Sequence, residues 1–214
     1  MCAKSTPQEN ARNTIVPPKK PIKLGVLLSG TGRTFQNLHH RIADGSLEAE
    51  IACVISSRHG ACGVQRARDA GVPVHVVSRR DLRDPDFHQR ITEHLAQARV
   101  DLVCLAGFNT LYEIPPVLAG KVINIHPALL PEFGGRGFYG LRVHEAVLAA
   151  GKRESGCTVH FCDNQYDHGP IILQRRVPIL DDDTPQSLAA RVFEQECIAY
   201  PQAIRLLASR RERA

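Results

Sequence analysis

Asn124, His126 and Asp167 carry the side chains best suited to chemistry in this chain: an amide, an imidazole and a carboxylate. Asn124 and His126 lie two apart in Lys121-Val122-Ile123-Asn124-Ile125-His126-Pro127, an apolar run that reads as a strand, where alternate residues share a face. An amide N–H₂ can donate to a developing oxyanion, an imidazole can donate or shuttle a proton, and a carboxylate can orient that imidazole. The three together suit acyl transfer to a nucleophile that the substrate supplies. The chain offers no Gly-x-Ser-x-Gly elbow, and no cysteine stands beside these groups. Taken singly each residue has a plainer reading, as a polar pair finishing a buried strand or as a turn aspartate.

Placing the three groups together calls for a strand that delivers Asn124 and His126 and a loop that brings Asp167 back. Pro127 cannot donate to a ladder and ends the strand, which puts the pair near its carboxyl end, where open α/β sheets hold their sites. Upstream, strand-like runs at 22–28, 50–55, 73–77 and 100–105 alternate with helical periods at 34–43, 62–70 and 86–98. That alternation predicts a Rossmann-like α/β fold, an open, mostly parallel twisted sheet with helices on both faces. A glycine-rich loop at 131–140 reads as a lid, followed by a helix at 142–150. Strand-like runs at 155–162 and 171–179 then predict an antiparallel C-terminal strand pair whose connection, 163–170, contains Asp167. Thr184-Pro185 starts a last helix running to about 208, a hydroxyl cap followed by proline at the first helical position.

The chain has 214 residues, 43% of them hydrophobic, enough for one substantial core. We expect a single catalytic domain over 22–209, a disordered basic extension over 1–21 and a short tail over 210–214. The net charge of +5 comes from the ends: residues 1–23 hold five basic groups and one acid, 210–214 three and one, which leaves 19 basic against 20 acidic between them. The body is thus no general polyanion binder, and nucleic acid is not an expected partner. No apolar stretch nears the roughly 20 residues of a membrane span. Seven cysteines with no CxxC pair read as reduced thiols, so a cytoplasmic protein is expected.

Ser29-Gly30-Thr31-Gly32-Arg33-Thr34 lies between a strand and a helix, where backbone N–H groups can face a phosphate; a tight structural turn is the alternative. It is not a dinucleotide fingerprint, because Phe35 stands at the third glycine position, and it lacks the Gly-Lys-Ser/Thr ending of a P-loop. His39-His40 have the wrong spacing for a metal, there is no His-Glu-x-x-His, and Asp181-Asp182-Asp183 precedes a helix start as a cap would. No metal site is expected.

Leu28-Ser29-Gly30-Thr31-Gly32, Leu105-Ala106-Gly107-Phe108, Asn124 to Pro131 and Asp167-His168-Gly169-Pro170-Ile171-Ile172 occur in this order, and together they resemble the phosphoribosylglycinamide formyltransferases. The resemblance spans about 22–208. It implies that N10-formyltetrahydrofolate, as co-substrate, gives its formyl group to the amine of glycinamide ribonucleotide in purine biosynthesis, with no metal and no NAD. By the same resemblance Asn124, His126 and Asp167 are catalytic. Gly30, Gly32, Arg33, Thr34, Gly107, Pro127 and Glu196 meet the ribonucleotide, with Glu196 on the ribose hydroxyls. Leu105, Phe108, Asn109, Thr110, Leu111, Asp163 and Asp167 line the folate pocket. A raised Asp167 pKa would help it move the amine proton.

Three departures from the family pattern stand out. The loop after Pro131 is several residues longer than usual, Asn109-Thr110 replaces a common Met-Arg, and Phe193 stands where a Lys or Gln often reaches the phosphate. Arg33 or Arg136 is then the expected source of the missing charge. Formyltetrahydrofolate hydrolase shares the core but usually carries an N-terminal regulatory domain, which an N-terminal stretch of 23 residues is not expected to supply. Methionyl-tRNA formyltransferase shares the Asn-x-His-Pro stretch but adds a tRNA-binding domain that this sequence does not contain. A non-catalytic nucleotide sensor on the same fold is a further alternative. The partners expected are small molecules, with the chain a monomer or homodimer.

Overall fold

The computed structural model describes residues 20–211; residues 1–19 of the extension expected over 1–21, and residues 212–214 of the expected tail, lie outside the described residues. Strands β1 (Ile22–Leu28), β2 (Ala49–Ser56), β3 (Val74–Val76), β4 (Leu102–Leu105), β5 (Val122–His126), β6 (Glu154–Phe161) and β7 (Ile171–Pro178) form one sheet. Its order is β3-β2-β1-β4-β5-β6-β7. Helices α1 (Arg33–Ala43), α2 (Cys62–Asp69), α3 (Asp86–Gln97), α4 (Leu141–Ala149) and α5 (Pro185–Arg211) cover it. β6 pairs antiparallel with both β5 and β7, so β6 alone runs against the other six strands.

Two apolar clusters explain why these segments take these positions. Phe87, Ile91 and Leu95 of α3 pack with Leu27, Ile55, Val103 and Val122 on one face. On the other, Phe35 and Leu38 of α1, Val64 of α2, Val147 of α4 and Leu188, Val192 and Ile204 of α5 pack with Leu24, Val26, Ile123 and Val159. β1 is therefore apolar on both sides, as a central parallel strand must be, and each fully buried leucine in it stabilises the fold by about 1.5–3 kcal/mol. Tyr200 of α5 is fully buried and donates its hydroxyl to the carbonyls of Leu105 at 2.9 Å and Ile123 at 3.1 Å, pinning the helix across β4 and β5.

The last helix continues to Arg211, two residues into the stretch expected as a tail. Arg210 and Arg211 sit at its carboxyl end, where positive charge is favoured, and Arg211 pairs with Asp101 at 2.7 Å. Thr184 caps the same helix as the sequence predicts, its hydroxyl accepting from the Ser187 amide at 3.1 Å, and Asp183 braces that turn by accepting from the Ser187 hydroxyl at 2.7 Å and from Arg191 at 2.6 Å.

The chain leaves β1 toward β2 on one side and β4 toward β5 on the other, so a crevice opens between the carboxyl ends of β1 and β4. Ser29 and Gly107 meet across it, the Ser29 amide donating to the Gly107 carbonyl at 3.0 Å and the Ser29 hydroxyl accepting from the Asn109 amide at 2.9 Å.

Candidate active site

β5 delivers Asn124 and His126 to the carboxyl edge of the sheet, and Pro127 turns the chain away. Thr158 on β6 fixes that departure: its hydroxyl donates to the Ala128 carbonyl at 2.7 Å and accepts from the Leu130 amide at 3.0 Å. Asp167 returns from the β6–β7 connection with φ of 50°, a left-handed conformation that aspartate tolerates better than most residues. The His126 and Asp167 side chains are only 4% and 11% exposed.

The hydrogen bonds assign the working atoms. A carbonyl can only accept, so the Phe133 oxygen, 2.8 Å from Nε2 of His126, fixes a proton on that nitrogen and leaves Nδ1 turned toward Asp167. Nδ1 lies 3.3 Å from Oδ1 of Asp167. Nδ2 of Asn124 lies 3.3 Å from the same oxygen and 3.2 Å from Nε2 of His160. Nδ1 of His160 donates to the carbonyls of Phe161 and His168, so its Nε2 is the acceptor and determines which end of the Asn124 amide carries the N–H groups. With Nε2 holding its proton, Nδ1 donates only from the imidazolium; in that form it and the Asn124 amide converge as two donors on Oδ1, held in place from behind by Phe133 and His160. Both bonds to Oδ1 are long, so a substrate oxygen placed there can compete for the donors.

His160 was not among the sequence candidates. Its signal was a lone histidine in an otherwise apolar strand run, but its place opposite Asn124 depends on the β5–β6 register. Burial lowers its pKa, keeping it in the neutral form that can accept from Asn124. Burial likewise lowers the pKa of His144 on α4 to about 4, with the charge of His126 adding to the effect.

The Asp167 carboxyl is not raised. Burial works to raise its pKa, but the His126 hydrogen bond and charge, the Gly135 amide at 2.9 Å and His160 outweigh it and hold the carboxyl below its ordinary value. The raised carboxyl is Glu196 instead: burial in the site wall pushes it up to about 7, against the opposing charges of His126 and Arg33.

A cavity of about 190 Å³ lies over these groups, lined by Thr34, Gly107, Phe108, Asn109, Asn124, His126, Pro127, Asp167 and Glu196 among the sequence candidates. Gly135, Gly137, Phe138, Tyr139 and Gly140 roof it, so the long loop is where a lid belongs. Leu105, Thr110, Leu111 and Asp163 do not line it; Asp163 instead pairs with His168 at 2.5 Å. Gly30, Gly32 and Arg33 lie behind Thr34, outside the lining. Arg136 is exposed and lines neither this cavity nor the groove beside Arg33, although its neighbours Gly135 and Gly137 line the cavity. A larger groove of about 950 Å³ lies by the amino ends of β1 and β2, between Lys20 and Arg211, and contains none of the candidate residues.

The turn before α1 is built for close approach. Gly32 takes φ of 75°, and a Cβ there would stand 2.6 Å from Cα of Gly63 at the start of α2. No side chain caps α1, so its first N–H groups are open to a ligand anion. Among the described residues no group of three or more His, Cys, Asp or Glu could hold a metal ion, and no helix is long and apolar enough to cross a membrane.

Residues 22–204 match the formyl transferase family. The trifunctional purine biosynthetic protein adenosine-3 of Drosophila melanogaster is 42% identical over 190 residues, 86% of this chain, and the chain spans 14% of that protein's length. The phosphoribosylglycinamide formyltransferase of Haemophilus influenzae is 37% identical over 186 residues, covering 86% of this chain and 85% of its own. The crystal structure of glycinamide ribonucleotide transformylase 1 from Symbiobacterium toebii matches with a TM-score of 0.81 and 39% identity over 89% of both chains. A match of that length, on a fold this similar, places the chain in the formyl transferase family.

Proposed function

We propose that this protein moves the formyl group of N10-formyltetrahydrofolate to the amine of glycinamide ribonucleotide in purine biosynthesis. The observation that carries the reading is the convergence of Asn124 Nδ2 and His126 Nδ1 on a single acceptor position beside Asp167. The amine attacks the formyl carbon, and the carbonyl oxygen becomes an oxyanion that takes the two N–H donors from Asp167. The Asp167 carboxylate then receives a proton from the ammonium that forms, directly or through water, and the C–N10 bond breaks as N10 takes a proton back. The chemistry needs neither a metal nor NAD.

Thr34 and the open amino end of α1, with Gly30, Gly32 and Arg33, face the phosphate in this reading, while Gly107, Pro127 and Glu196 hold the ribose and glycinamide. Phe108 and Asn109 meet the pterin from the cavity wall, with Leu105, Thr110, Leu111 and Asp163 behind them. The space of about 190 Å³ is below the roughly 300–1,000 Å³ that one drug-sized ligand fills, and in this reading the 131–140 loop lifts to admit two substrates. The partners are small molecules, with no nucleic acid or membrane, and the compartment is the cytoplasm.

Acceptor dependence tests the reading. Purified protein should convert N10-formyltetrahydrofolate to tetrahydrofolate only with glycinamide ribonucleotide present. Equal turnover without it would identify a hydrolase, and no turnover with any amine would identify a sensor.

A further inference from the structure

A groove of about 360 Å³ lies between α1 and α5, lined by Arg33, Gln36, Asn37, His40 and Phe193, with Arg33 next in sequence to the Thr34 that lines the catalytic cavity. Arg33 is the first residue of α1, and its guanidinium carbon lies 3.7 Å from the centroid of the Phe193 ring. That contact accounts for the guanidinium's position: the Arg33 side chain makes no hydrogen bond or ion pair among the described residues. A guanidinium stacked on an aromatic face keeps its N–H donors in its own plane, free for a ligand. Phe193 precedes Glu196 by three residues on α5, and the Arg33 charge acts on the Glu196 carboxyl, so this cation lies near the cavity wall. The uncapped N–H groups of α1 begin at the same residue.

We propose that Phe193 is a positioning residue for the acceptor's phosphate: its ring holds the Arg33 guanidinium beside the open end of α1, so that one phosphate meets backbone N–H groups and a planar cation together. The proposal rests on the acceptor reading above for the identity of the phosphate's bearer. Without the ring, a long exposed arginine would have to be ordered by the ligand itself, at a cost in rotamer entropy. The aromatic residue on α5 thereby does through Arg33 what a cation on α5 would do directly.

Four variants test it: Arg33→Ala, Phe193→Leu, the double variant and Phe193→Tyr, each checked for an unchanged melting temperature. Phe193→Leu should raise the ribonucleotide KM about threefold, the loss of one exposed cation–π contact. Arg33→Ala should raise it about tenfold or more, the loss of charge-assisted hydrogen bonds. The double variant should be no worse than Arg33→Ala, because the ring acts only through the arginine. Phe193→Tyr should keep the wild-type value, and the folate KM should hold in all four. Titration with inorganic phosphate should weaken in the same order. A Phe193→Leu variant with unchanged ribonucleotide KM and phosphate affinity would overturn the proposal, as would a double variant whose two effects multiply or a folate KM that rises in parallel. A wild-type protein that formylates no ribonucleotide would remove the acceptor reading, and the phosphate titrations would still decide the role of Phe193.

Discussion

The Gly135 amide donates to Oδ2 of Asp167 at 2.9 Å, so the glycine-rich loop and the carboxylate nearest the chemistry form one hydrogen-bonded unit. Lifting the loop removes an N–H from the charged form of Asp167 and makes it a stronger base; closing the loop does the reverse. The same loop supplies the Phe133 carbonyl to His126, from a backbone with φ of 55°. A residue with a side chain rarely adopts that conformation, so local strain serves to aim an oxygen.

Asp167→Asn isolates the charge, because asparagine also tolerates a left-handed backbone. Turnover should fall by at least about a hundredfold while ribonucleotide binding stays near normal. Steady-state kinetics with a binding titration checks this, and undiminished turnover would remove Asp167 from the proton path.

Acid stability gives a second reading of the same group. The folded carboxyl lies below its ordinary 3.8, so its stabilising contribution is complete above the unfolded value and lost as pH falls through the folded one. Urea unfolding of wild type and Asp167→Asn should therefore differ by more near neutral pH than in acid, where the carboxyl is protonated. A constant gap would contradict the pairing.

His160→Phe removes the acceptor that orients the Asn124 amide while filling a similar volume. Loss of a single oxyanion donor costs about a hundredfold or more, and misaiming one should lower kcat about tenfold with little change in either KM. A change confined to KM would show that His160 shapes binding instead.

Glu196, pushed up to about 7, should titrate within the working range. If it accepts ribose hydroxyls, its ionised form binds better, so ribonucleotide affinity should rise as pH climbs through that value. Glu196→Gln should bind more weakly and flatten the profile; a profile unchanged by the substitution would place the titration elsewhere.

Tyr200→Phe should cost about 1–2 kcal/mol of stability, since two buried carbonyls lose a shared donor without a cavity forming. Chemical denaturation measures this directly.

The alternation of apolar runs made the sheet and its helices legible, and the two-residue spacing made Asn124 and His126 legible as one face. What stayed hidden was carried by backbone atoms and by register. Phe133 acts through its carbonyl and Gly135 through its amide, which no residue type announces. His160 becomes an active-site neighbour because β6 pairs with Asn124 opposite it. Arg136 and Arg33 were equal candidates as cations in glycine-rich loops, and the Phe193 ring distinguishes them. The direction of the Asp167 pKa depended on three neighbours brought from separate segments, His126, Gly135 and His160.

The contact of Gly32 with Gly63 has a consequence for anyone who diversifies this protein. A Cβ on Gly63 would stand 2.8 Å from the Leu28 side chain and 3.1 Å from Gly32, so alanine there must displace the turn before α1 although position 63 lies in another helix. Each position is therefore held at glycine by the backbone of the other, and no substitution at one can make room for a side chain at its neighbour. A mutant library that randomises 29–34 should leave 32 as glycine and keep 63 as it is, and place its diversity in the side chains around them.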